Sequence, residues 1–168
     1  MSRTVVRLER WAAIVIAEGF DTAIVNIPGA KTSESVPDMI RTIAEYLTKE
    51  VKGSKGDLLR KSLQEALFLT IGTSRRRSGQ TFFLRRGGRG LLRCFLRLHL
   101  FNIVWLETSE CFRAVAGSQK TFVHDMQSVE HVCQRIVDSA WRSQNIRGTL
   151  DQSSAIKLIN KIESALNS

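Results

Sequence analysis

Twelve of the sixteen residues from Leu91 to Leu106 are apolar, and a run this dense has to be covered on almost every side. The run is shorter than the roughly 20 residues that cross a bilayer, and Arg93, Arg97, His99 and Asn102 interrupt it. Its cover is therefore protein rather than lipid. The alternation Leu96-Arg97-Leu98-His99-Leu100 also suits a strand, but the length of the segment and its lack of turn residues favour a helix from Leu91 to about Ala116. A helix hidden on most of its faces requires several others around it.

The rest of the chain supplies them. Val5, Leu8, Ala12, Val15 and Ile16 share one helical face, with Gly19 as the stop. The β-branched stretch 22–28 reads as an apolar connection, because Pro28 and Gly29 end it at once. Ser35 with Asp38 forms a capping-box pattern ahead of Met39, Ile40, Ile43, Ala44 and Leu47. Ser54 with Asp57 repeats that pattern ahead of Leu58, Leu59, Leu63, Ala66 and Leu67, and the helix stops at Gly72. The short turn at 52–56 joins these two helices as an antiparallel hairpin. Phe122, Val123, Met126, Val129, Val132, Cys133, Ile136, Val137, Ala140 and Trp141 give the clearest amphipathic pattern in the chain. Thr149 with Gln152 caps a last helix through Ala155, Ile156, Leu158, Ile159, Ile162 and Leu166. The expected architecture is all-α, an irregular bundle of about five to six helices around a long central one, with an Arg/Gly-rich loop. Residues 1–168 make one helical domain, a size that buries a sufficient core. A composition of 43% hydrophobic and 24% charged residues is that of a folded chain and excludes wholesale disorder.

Charge is distributed unevenly along this scaffold. Between Glu65 and Glu107 there is no acidic residue, while Arg75, Arg76, Arg77, Arg85, Arg86, Arg89, Arg93 and Arg97 all fall there. The chain holds 25 Lys+Arg against 16 Asp+Glu, so nearly all of its +9 charge is in this window. A block of like charge repels itself, which points to an anionic partner held by its field. Helical periodicity lapses over 73–90, and the segment reads as a flexible basic loop within the domain. Arg75-Arg76-Arg77-Ser78 suits kinases that select arginine before serine, which makes Ser78 a candidate phosphosite. Arg85-Arg86-Gly87-Gly88-Arg89-Gly90 resembles one unit of the arginine-glycine segments of RNA-binding proteins, with Phe82 and Phe83 as stacking surfaces or as anchors to the core. Arg89, Arg93 and Arg97 recur at four-residue steps and form a cationic stripe on the helix that follows. Such a stripe either meets an external anion or pairs with acids of neighbouring helices.

Signals for catalysis are weak by comparison. His124 and His131, seven residues apart, stand about 10.5 Å apart on a helix, too far to share one metal, and the His-Glu-x-x-His spacing is missing. Glu107 and Glu110 read as a solvated helix end, and no phosphate loop or nucleophile-elbow motif occurs. Cys94, Cys111 and Cys133 form no C-x-x-C pair, which suits a reducing, intracellular compartment, cytoplasmic or nuclear. Arg7, Glu9 and Arg10 break up any apolar signal core near the N-terminus. The expectation is a non-enzymatic interaction module, an adaptor or scaffold, without catalytic residues, metal, cofactor or small-molecule substrate. It presents the arginines to an acidic protein. Sequence-independent RNA or DNA binding through the same arginines is the alternative, and an anionic membrane surface ranks below both.

Overall fold

The run that demanded cover receives it: Leu91, Leu92, Phe95, Leu96 and Leu100 are buried at the centre of an all-helical bundle. The computed structural model describes residues 1–31, 35–72, 76–144 and 150–166, and the side chains of all of these except 72 and 76–87. In chain order the helices are α1 (Ser2–Glu18), α2 (Phe20–Val25), α3 (Val36–Thr48) and α4 (Gly53–Leu67), continued by a π-helical turn (Phe68–Gly72). Then come α5 (Arg76–Val115), α6 (Gln119–Ser143) and α7 (Gln152–Leu166). No strand occurs among the described residues, so 91–106 is helical.

Three helices enclose the inner part of α5. Ala12 of α1 meets Gly88, and the Met1 ammonium makes itself felt at His99, so α1 runs antiparallel to α5. Ser62 of α4 meets His99, whereas Thr70 stands beside Arg89 and Gly90, so α4 and its π-helical turn also run antiparallel to α5. Arg97 faces Glu130 and Arg93 faces Asp138, which orients α6 the same way. The α7 helix closes the bundle against α1 and α6 with Ala155, Leu158, Ile159 and Ile162 buried.

Several local signals hold. Ser35 accepts the Asp38 N–H at 3.3 Å, and Gly19 ends α1 with a φ of 94° that other residues rarely adopt. Others are corrected. The apolar connection expected at 22–28 is largely the short helix α2, because burial of Ala23 and Ile24, with the Trp11 indole N–H donating to the Ala23 carbonyl at 3.3 Å, outweighs β-branched propensity. Ser54 does not cap α4, which starts at Gly53. Asp151, rather than Thr149, sits at the start of α7 and accepts the Ser154 N–H at 2.7 Å; Thr149 lies outside the described residues.

The largest correction concerns 73–90. Residues 73–75 lie outside the described residues, but α5 is continuous from Arg76, so 76–90 are about four turns of helix rather than a loop. Gly88 explains part of this. A Cβ there would stand 2.7 Å from the Ala12 Cβ, so the absent side chain permits the close approach of α5 to α1. A glycine that reads as a chain breaker in sequence is here a packing residue.

Candidate anion-binding cleft and adjoining apolar groove

Where α5 separates from α6, a cleft of about 660 Å³ opens, and Arg89, Arg93 and Arg97 line it from the α5 side. Gln134, Val137, Asp138 and Trp141 of α6 form the facing wall, with Leu69 and Thr70 of the π-helical turn at its edge. The four-residue spacing of the arginines brings all three guanidinium groups to this one site.

Arg93 and Arg97 are met by carboxylates of α6. Arg93 donates through Nε to Asp138 Oδ1 at 3.2 Å and through Nη2 to the same oxygen. Arg97 Nη2 lies 3.7 Å from Glu130 Oε1, while its buried Nε has no hydrogen-bond partner among the described residues. A guanidinium offers five N–H donors, so neither pair exhausts its arginine. Partly exposed ion pairs of this kind contribute about 0–1 kcal/mol, which leaves them open to competition from a stronger anion. Arg89 acts in a different direction: its charge reaches Glu9 on α1. Burial raises the Glu9 carboxyl above its ordinary range, and the Leu150 N–H bond at 2.5 Å and the Arg89 charge oppose that rise. Cys94 also lines the cleft, and burial raises its thiol with Arg97 partly opposing.

Leu69 also lines a second depression of about 650 Å³ with a different character. Pro37 and Ile40 of α3, Phe68 and Leu69 of the π-helical turn, Leu98 and Phe101 of α5 and Met126 of α6 line it. The π-helical turn contributes Phe68 and Leu69 to this groove. The Thr70 hydroxyl is within donor distance of the Ala66 and Leu67 carbonyls, at 2.9 and 3.0 Å, inside the widened turn. Ile71 is buried, whereas Phe68 and Leu69 are 51% and 47% exposed.

Beneath the groove, polar groups link α4 to α5. The Ser62 hydroxyl donates to the Leu58 carbonyl at 2.8 Å and lies 3.3 Å from His99 Nδ1. Asn102 Nδ2 donates to Ser62 Oγ at 3.0 Å and to Glu65 Oε2 at 2.9 Å. Burial, with a smaller effect from the Met1 ammonium, lowers the His99 pKa to about 4, so the ring is neutral in the folded protein at neutral pH. Ser62 is buried with its proton directed to the backbone, and the cluster acts as an interhelical tie.

The sequence-predicted residues thus divide. Arg89, Arg93 and Arg97 come together. Arg76, Arg77, Ser78, Phe82, Phe83, Arg85 and Arg86 belong to the first turns of α5 with side chains outside those described, and Arg75 lies outside the described residues altogether. His124 and His131 are exposed on α6, and Glu107 and Glu110 are exposed on the outer part of α5. No group of three or more His, Cys, Asp or Glu among the described residues is arranged to hold a metal ion, and none of the described helices is long and apolar enough to cross a membrane. Sequence reasoning missed the cleft's far wall, since Trp141 and Val137 read only as core, and it missed Phe68 and Leu69. The aromatic Phe68, off the apolar face of Leu59, Leu63, Ala66 and Leu67, was the available signal for the groove.

No known protein family, no curated protein and no solved structure matches this chain.

Proposed function

We propose that the chain is a non-enzymatic helical interaction module that uses the arginines of α5 to hold an acidic protein partner. The observation that carries this reading is the convergence of Arg89, Arg93 and Arg97 on one open cleft. Arg75, Arg76, Arg77, Arg85 and Arg86 extend the same acid-free window toward the start of α5, whose first turn contains no acidic residue. The positive end of the helix dipole adds to their field rather than being neutralised by a local carboxylate. Phosphate on Ser78 would add about −1.5 to −2 charge among three arginines and weaken such a partner.

The test is fluorescence anisotropy of a labelled glutamate-rich peptide with the full chain. Binding should weaken on raising salt from about 50 to about 200 mM and fall when Arg89, Arg93 and Arg97 are changed to glutamine. Unchanged binding in the triple variant overturns the reading. Trp141 in the same cleft favours a second reading, since an indole beside guanidinium groups also suits stacked bases of RNA or DNA. That reading requires an affinity for duplex falling with a log–log salt slope near −0.9 per phosphate neutralised, and the absence of any gel shift at low salt eliminates it.

A further inference from the structure

We infer that the partner element is an amphipathic acidic helix lying along α5, with its carboxylates over Arg89, Arg93 and Arg97 and its apolar side chains in the groove beyond Leu69. The inference rests on the acidic-partner reading above and adds the second half of the surface. Leu69 lines both depressions, and Arg97, which lines the cleft, pairs with Glu130, which lines the groove, so the two adjoin along α5 as one track. Along α5 the track runs from Arg89 to Phe101, roughly 18 Å at 1.5 Å per residue, the length of a helix of about 12 residues.

The chemistry changes along that length. At one end three cations face the cleft; at the other Phe68, Leu98, Phe101, Met126 and Ile40 offer an apolar bed. The carboxylates on the groove walls are already held, Glu65 by Asn102 and Glu130 by Arg97, and Arg41 is paired with Asp38 at 2.6 Å. The groove therefore asks for apolar anchors, while the cleft offers the guanidinium N–H donors that Asp138 and Glu130 do not use. A half-exposed phenylalanine beside a half-exposed leucine, ringed by satisfied polar groups, is the pattern of a recognition surface rather than of scattered surface residues. Helix-in-groove binding supplies anchors at i, i+3, i+4 and i+7, which match a bed of this shape. A polyanion without apolar side chains, such as RNA, would use only half of the track.

Panning a phage-displayed library of peptides of about 15 residues against the full chain tests the inference, that length being the shortest that forms a helix readily. Enriched peptides should carry carboxylates in one half and apolar residues at helical spacing in the other. Phe68→Ser with Leu69→Ser should weaken the best peptide by roughly tenfold or more, as should Arg93→Gln with Arg97→Gln. Circular dichroism melts check that both variants fold; Phe68, Leu69 and Arg93 are exposed and Arg97 is half-buried. Loss with the arginine variant alone leaves the acidic-partner reading standing and overturns the groove's part in it. Indifference to both variants, or no enrichment, overturns both. A concentration-dependent mass by light scattering that Phe68→Ser and Leu69→Ser abolish would assign the groove to a second copy of the chain and overturn the proposal.

Discussion

The α5 helix is one continuous rod of 40 residues, yet its inner stretch, 88–102, and its outer stretch, 103–115, belong to different environments. The inner stretch touches α1 through Gly88, α4 through His99 and Asn102, and α6 through Arg93 and Arg97. The outer stretch meets α6 through Trp105, whose ring lies edge-on to Phe122 at 5.3 Å. Leu106 and Val115 are 66% and 86% exposed there, although the sequence continues apolar well past Asn102. Burial is decided by how many neighbours surround a turn, and apolar content alone does not report it.

The contrast breaks most visibly at Phe95, which is wholly buried. Phe95→Ala should lower unfolding free energy by about 3–5 kcal/mol in urea denaturation, from lost burial and the cavity left behind. His99 offers the next effect without a large change of volume. Its folded pKa of about 4 lies below the ordinary 6.5, so the unfolded chain binds the extra proton. The stability this contributes is present above pH 6.5 and is lost as pH falls toward 4, with a total on the order of 3 kcal/mol. His99→Gln should flatten that part of the stability profile. Glu9 titrates with the opposite sign, its raised carboxyl favouring the folded state as pH falls, and the His99 variant separates the two.

Gly88→Ala sharpens the comparison at intermediate size. In an open helix the change stabilises by up to about 1 kcal/mol, but the clash with Ala12 should reverse the sign and cost roughly 1–3 kcal/mol net, read as a lower melting temperature. On the outer stretch Leu106→Ala should move stability by no more than about 0.5 kcal/mol in the same assay. A loss there comparable to that of Phe95→Ala would mean that the outer stretch is covered in solution, and the comparison would fail.

Much of the helical order was legible. The apolar run at 91–106, the Ser35–Asp38 cap and the 3.6-residue period of α6 are local properties, and local chemistry decides them. Residues 76–90 were not legible, because the role of a glycine depends on what approaches it, and Ala12 is far away in sequence. The candidate site was half legible. The stripe of Arg89, Arg93 and Arg97 follows from spacing alone, but Asp138 and Glu130, which pair with two of them, come from another helix. Phe68 and Leu69 fall on the outward face of α4 and its continuation, and only the packing of α3 and α6 beside them makes that face a groove.

By itself, then, the sequence determined that this protein is helical, that one helix must be surrounded, and that its positive charge is concentrated in a single window. These follow from side-chain periodicity and from the order of charges along the chain, which need no knowledge of neighbours. Only the tertiary structure decided that the window begins as helix, that Arg93 and Arg97 face carboxylates, and that an apolar groove adjoins the cationic cleft. Each of those depends on contacts between residues distant in sequence, and such contacts exist only once α1, α3, α4 and α6 have packed around α5.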